Sequence, residues 1–285
     1  MADSGVVALV RDVTAVARER QISVKSAGLA YHAFNTLVPL VILLLVGITV
    51  VDALEPLVRT LESAMGLEGT VTGDGLEGVT GDGSTDLVRA GLLAFVILLW
   101  SAARLFQAVN SAFTDVYGAR REQSYVGNAA RVTIVTAVNA ALATATFAVG
   151  VALVGVVGVS LSIFLGGVLA AAASSLLLAV VLCALFLPMY YLFPHTGVSI
   201  GEVLPGTAFA ALSWTALAIG FRVYVATAES VALFGIAGAI LLILTWVYLG
   251  GLCLLLGAVL NAVLADRVEP ETGWIPMRDV WSKYA

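Results

Sequence analysis

An all-α, polytopic membrane protein is the fold class this sequence predicts, with about six transmembrane helices behind an N-terminal amphipathic interfacial helix. Three observations carry that prediction. Of 285 residues, 60% are hydrophobic and only 12% are charged, with a mean hydropathy of +1.02, whereas an average soluble domain is about half apolar and a quarter charged. Apolar runs recur at the roughly 20-residue length that crosses about 30 Å of hydrocarbon. The basic residues, finally, gather in alternate connections, as the resistance of Lys and Arg to translocation demands.

The chain opens "MADSGVVALVRDVTAVARER", which interleaves charges with valines. It lacks the basic start, short apolar core and small-residue cleavage site of a secretory signal, so the N-terminus is expected to be retained. At 100° per residue Val6, Leu9, Val10, Val13, Val16 and Ala17 fall on one arc, opposite Arg11, Asp12, Arg18 and Glu19. That pattern predicts a helix lying in the membrane interface. Clear apolar spans follow near residues 30–51, 88–109, 205–226 and 233–264. Between Arg131 and Glu202, seventy residues carry no Asp, Glu, Lys or Arg. That is too long for one helix and right for two, with the return expected between Gly155 and Gly167, where glycine and serine concentrate.

Orientation follows from charge. Eleven of the fourteen basic residues fall on one side of a six-span arrangement: Arg11, Arg18, Arg20 and Lys25 in the N-terminal segment, Arg104, Arg120, Arg121 and Arg131 around the second loop, and Arg267, Arg278 and Lys283 in the tail. Both termini are therefore expected to be cytoplasmic, in a cell (inner or plasma) membrane. The organisation reads as a cytoplasmic amphipathic segment (1–28), a six-span domain (29–265) with an outer acidic loop (52–87), and a cytoplasmic tail (266–285). In the tail, Trp274, Trp281 and Tyr284 suit the interface.

The outer loop holds eight of the nineteen acids and repeats "TGDG" at Thr72–Gly75 and Thr80–Gly83. Its ligands do not follow the spacing of a calcium loop, so a solvated acidic segment is expected rather than a metal site. With two lysines and a pI near 5.0, the composition suits salty surroundings. Cys183 and Cys253 lie in apolar spans and read as small hydrophobes. No cofactor and no metal are expected.

Chemistry is sought where an accident would cost most. Ionisable groups in hydrocarbon are expensive, so a proton relay shows as buried Asp, Glu or His. The six predicted spans contain no Asp and no Glu, which disfavours carboxylate-based coupling and two-metal hydrolysis. Two histidines, His32 and His195, leave a hydrolase little to work with. What the spans do hold is amide, hydroxyl and aromatic polarity. In "GLAYHAFNTLVPL", Pro39 cannot donate to the carbonyl of Asn35, and Tyr31 and His32 lie on nearly the same face. Tyr31, His32, Asn35 and Pro39 thus form a polar, kinked stripe, serving either a substrate or local helix satisfaction and interfacial anchoring.

Farther along, Arg104, Gln107, Ala108 and Ser111 repeat at helical spacing. Arg104 either snorkels to the head groups or contacts an anionic head group, supported by Arg120 and Arg121. Arg222 reads as a snorkelling anchor. Thr133, Ala137, Ala141 and Ala145 form a small-residue stripe suited to helix packing. Gly250, Gly257 and Asn261 share a face of the last span, again a packing pattern, with Asn261 a candidate polar contact.

The blocks "AGLAYHAFNTLVPL", "LLWSAARLFQAVNSAFTDVYG", "LFPHTGVSIGEVLPGTAFAALSW" and "LLILTWVYLGGLCLLLGAVLNAV" occur in the order and near the spacing of the YihY/virulence factor BrkB family of prokaryotic inner-membrane proteins, which the chain resembles. The resemblance implies six spans and places the family's pattern on Ala30, Tyr31, Pro39, Trp100, Pro194, Pro205, Gly206, Trp246, Gly257 and Asn261. The chain departs from it at Phe234–Gly235, where members often read Tyr-Gly, and at Val259, where a glutamate is usual. Some members have carried the label of a tRNA-processing ribonuclease. A net charge of −5 and the want of a catalytic cluster argue against that activity and against a nucleic-acid partner.

Two functions are expected from these readings. One is a non-enzymatic transporter or flippase-like role for an amphiphilic, anionic lipid or lipid-linked molecule, with candidate substrate contacts at Tyr31, His32, Asn35, Pro39, Arg104, Gln107 and Asn261. Pro39, Pro188, Pro194 and Pro205 would supply discontinuities in the helices. The other is a membrane scaffold or envelope-integrity factor, in which the same features only organise packing. Membrane lipids are the expected partners, with homo-oligomerisation left open.

Overall fold

Backbone N–H and C=O groups meet no water in hydrocarbon, so a spanning chain must satisfy them within its own helices. The computed structural model describes residues 2–50, 84–118, 125–156, 168–194, 197–227 and 230–269, and all the regular structure there is α-helical. In order these are α1 (Ala2–Glu19), α2 (Ile22–Val50), α3 (Ser84–Val116), α4 (Tyr125–Val156), α5 (Val168–Leu192), α6 (Ile200–Thr227) and α7 (Ser230–Leu264). Five contain segments long and apolar enough to cross a membrane: Ile22–Gly47, Arg89–Val116, Ala172–Leu192, Ile200–Tyr224 and Ile240–Leu264. In α4 a shorter apolar stretch, Ala129–Leu142, is described. The chain is a multi-pass helical membrane protein. The interval expected to turn between the third and fourth spans separates α4 from α5, although residues 157–167 lie outside the described set. So do the acidic loop over 51–83 with its two repeats, Arg120, Arg121, His195, and the tail from 270 onward with its aromatic residues.

The helices overrun the predicted spans, and this corrects the expectation that no acid would sit within one. Asp115 falls in the last turn of α3 and Glu202 in the first turn of α6. Both lie at helix ends and each meets a cation: Lys25 Nζ is 3.5 Å from Asp115 Oδ2, and Arg267 Nη2 is 3.0 Å from Glu202 Oε2. Nor do the prolines interrupt the helices as expected. Helices α2, α5 and α6 continue through Pro39, Pro188 and Pro205, and only Pro194 falls beyond a helix end. Pro205 lies in the second turn of α6.

Six helices close a ring: α2 packs on α3 and α7, α7 on α6, α6 on α5, α5 on α4, and α4 back on α3. Helix α1 docks on α7 and α2, burying Val16 and Ala17, while Val6, Val7 and Val10 of the same helix stay exposed. Gln21, with φ of 50°, separates α1 from α2.

The core gathers where α2 and α6 begin and α3, α5 and α7 end. There Phe113 of α3 reaches across the ring to Tyr190 of α5 and Phe193 just past its end, with ring centroids 5.0 and 6.0 Å apart in edge-to-face geometry, the arrangement aromatic quadrupoles favour. Val116, Val203, Leu255, Val259 and Ala262 fill the space around them. Val259, where the resembling family usually carries glutamate, is fully buried in this apolar cluster.

At this end α6 and α7 cross with almost no side chain between them. A Cβ on Gly206 would run into the Gly257 carbonyl oxygen, and one on Gly257 would lie 2.5 Å from the Gly206 carbonyl oxygen. Asn261 locks the crossing: Gly206 N–H donates to its Oδ1 over 2.6 Å, and its Nδ2 donates to the Val203 carbonyl over 2.8 Å. One turn away the Tyr190 hydroxyl donates to the Leu254 carbonyl over 2.5 Å. Helix α7 then ends in a Schellman turn, with Asp266 at φ 49°, Asp266 N bonded to Val263 O and Arg267 N to Ala262 O. That turn delivers Arg267 to Glu202, whose own helix start is a reciprocal Ser199–Glu202 capping box.

Candidate functional site

Helix α3 carries a cation within its long apolar span. Within the Arg89–Val116 span, Arg104 lies about 22 Å from one end and about 18 Å from the other, at 1.5 Å per residue. No acidic side chain among the described residues forms an ion pair with it. Its guanidinium carbon instead sits 5.8 Å from the centre of the Trp100 ring, one turn earlier on the same face, where the ring quadrupole attracts a cation.

Because α2 packs along α3, that face meets His32. An open cavity of about 270 Å³ is lined by His32, Arg104, Gln107, Ala108 and Ser111. Each of the polar side chains there can donate to an anion: guanidinium, amide N–H, hydroxyl and imidazole N–H. A second open cavity of about 230 Å³ lies on the other side of Arg104, between α3 and α4.

Of the seven candidate contacts, the structure brings three together: His32, Arg104 and Gln107. The remaining α2 residues fan out around them. Tyr31 is 63% exposed, Asn35 is exposed and Pro39 is buried, because i and i+8 on a helix differ by about 80° at 3.6 residues per turn. What was read as one stripe therefore turns from the outer surface into the bundle over two turns. The Tyr31 and His32 rings pack edge to face at 5.5 Å. The Thr36 hydroxyl donates to the His32 carbonyl over 2.9 Å, satisfying backbone one turn ahead of the proline. Asn261 lies elsewhere, 1% exposed and committed to the backbone of α6.

Sequence reasoning put the small-residue stripe of α4 into a helix interface, and the structure corrects this. Thr133, Ala137 and Ala141 are exposed, and α4 turns Val132, Val135 and Asn139 inward instead. Ala145 lies among residues whose side chains are not described. Ile134 and Val138 stay outward with the small residues, so both faces of α4 are apolar and composition alone does not choose between them. Two polar features were also missed. Lys25 caps the Arg20 carbonyl as well as meeting Asp115. Tyr117, just past α3, is buried with its hydroxyl unpartnered, and that burial pushes its ionisation well above the ordinary tyrosine range. Nothing in the local sequence marks either, since both depend on helices far apart in the chain.

A ring of apolar helices, with His32, Arg104, Gln107 and Ser111 around a pocket between α2 and α3, defines a polytopic membrane protein. The chain belongs to the virulence factor BrkB family, whose model matches residues 13–279. It is 29% identical over 264 residues to the ribonuclease-like protein YfkH of Bacillus subtilis (strain 168), covering 85% of this chain and 90% of that protein. Over 88 residues it is 32% identical to the UPF0761 membrane protein PSHAa0171 of Pseudoalteromonas translucida (strain TAC 125), covering 30% of this chain and 29% of that one. No solved structure gives a significant match. Of the family positions, Gly206, Gly257 and Asn261 make up the α6–α7 crossing, and Trp100 is the ring beneath Arg104.

Proposed function

We propose that the protein moves an anionic amphiphile, a lipid or lipid-linked molecule, across or within the cell membrane, with His32, Arg104, Gln107 and Ser111 receiving its head group. The observation that carries this reading is Arg104 within the α3 span, with no carboxylate partner among the described residues, facing a cavity lined by His32, Gln107 and Ser111. A cation at the centre of a spanning helix costs about 3 kcal/mol on insertion scales, and less as it nears the head groups; an anionic ligand offsets whatever part of that cost Arg104 bears. Both termini are taken to be cytoplasmic, in accord with eleven of fourteen basic residues on that side. On this reading the chain is not an enzyme. The name of YfkH raises a nuclease alternative, but a net charge of −5 and one clearly placed histidine beside a single arginine are poor equipment for RNA.

Reconstitution in liposomes with fluorescent reporter phospholipids tests the proposal. Transbilayer movement above protein-free vesicles is expected for anionic lipids, reduced tenfold or more by Arg104→Gln. No movement across a range of lipids and salts would sink transport and leave the scaffold role.

A further inference from the structure

Arg104 borders two cavities, and the function proposed above uses only one. We infer that the second, between α3 and α4, holds an acyl chain of the same molecule whose head group occupies the first, so that the ligand is a lipid and not a free anion. This rests on the head-group reading of the first cavity. The two spaces share Arg104 and Gln107, so one ligand can reach both across a single turn of α3.

Their chemistry differs in the way an amphiphile requires. Beyond the shared pair, the first adds His32 and Ser111. The second adds Trp100 and Ala103 from α3, faced by Ala129, Val132 and Thr133 from α4. Apart from one hydroxyl, those additions are apolar. A soluble phosphate has no use for them; a hydrocarbon chain has. Trp100, 67% exposed, is positioned to cover a chain on one side and hold the guanidinium at the junction on the other.

The small residues of α4 extend the same wall. Ala129, Thr133, Ala137 and Ala141 are all exposed and recur every four positions, covering about 18 Å of helix at 1.5 Å per residue, comparable to one leaflet of a roughly 30 Å core. Val126 and Ile134, exposed beside it, flank the strip with further apolar surface. A methylene chain lying against it and under Trp100 would be continuous with a head group on Arg104.

Binding of long-chain and dihexanoyl phosphatidylglycerol, which share a head group, to the full-length protein in detergent micelles separates the two subsites. The wild-type protein is expected to prefer the long-chain lipid at least tenfold. Ala129→Trp, which fills the cavity, should abolish that preference while leaving dihexanoyl binding intact; Thr133→Leu should reduce it, on a milder perturbation of the fold. A photoreactive group on the acyl chain should label the segment 125–142. If the preference survives both substitutions, or the label maps to other helices while Arg104→Gln still removes binding of both lipids, the chain subsite is overturned and the head-group reading stands. Binding of both lipids unchanged by Arg104→Gln would overturn the head-group reading itself.

Discussion

Replacing Asn261 by leucine asks whether this amide holds two helices together or waits for a ligand. In the folded chain it is 1% exposed, accepts from Gly206 N–H at 2.6 Å and donates to the Val203 carbonyl at 2.8 Å. Leucine has similar bulk and offers neither group. The Val203 carbonyl keeps a second partner, the Thr207 hydroxyl at 2.6 Å, so its loss is small. The Gly206 N–H loses the Asn261 acceptor in a site closed to water, at a cost of about 1–3 kcal/mol for a buried donor left unsatisfied. Interhelical hydrogen bonds in membranes average lower, about 0.6 kcal/mol and up to about 2, because the unfolded chain also finds partners in lipid. The expected loss is therefore about 1–2 kcal/mol, in the range where SDS-driven unfolding of the purified protein resolves a shifted midpoint. Asparagine to aspartate should be worse near neutral pH, since a carboxylate can still accept from Gly206 but would set its second oxygen against the Val203 carbonyl. A leucine variant as stable as the wild type, but with lost lipid binding, would refute the clamp and restore Asn261 as a ligand contact.

The same crossing predicts a contrast between glycines. Gly206→Ala drives a methyl into the Gly257 carbonyl and the Asn261 amide and should cost about 1–3 kcal/mol or more as overpacking. Gly28→Ala, with nothing within 4 Å of the new methyl, should gain up to about 1 kcal/mol from helix propensity; the two unfolding midpoints check this. Tyr117 gives a pH dependence. Burial raises its ionisation above that of the unfolded chain, so its neutral form contributes stability that is complete below pH about 10 and falls as pH rises beyond it. Tyr117→Phe should remove that alkaline component and be neutral or slightly stabilising at pH 7, because the hydroxyl it deletes has no partner; pH-jump unfolding of the two proteins measures it. Arg267→Ala should cost no more than about 1 kcal/mol, since the pair with Glu202 is one-third exposed on each side, and thermal melts at low and high salt should converge.

Much of the site was legible because it lies along one helix. Arg104, Gln107, Ala108 and Ser111 repeat at 3.6-residue spacing, and the structure keeps them on one cavity wall. The polar run of α2 misled for the same geometric reason: an i, i+4, i+8 series drifts around a helix, and only His32 of the run reaches the cavity. Asn261 was legible as part of a packing face with Gly250 and Gly257, and its amide meets the backbone of α6 there.

The sequence by itself determined the solvent, the helical class, the approximate spans and the presence of an arginine within one of them, because each follows from composition and from spacing within a single helix. Only the tertiary structure decided which faces meet. Packing of α2 on α3 joined His32 to Arg104, the Gly206–Gly257 approach turned Asn261 into a clamp, and burial of Val132, Val135 and Asn139 left the small residues of α4 outward. Hydrophobicity selects the membrane for every apolar face alike; shape and hydrogen bonding, which pair one helix with another, select among those faces.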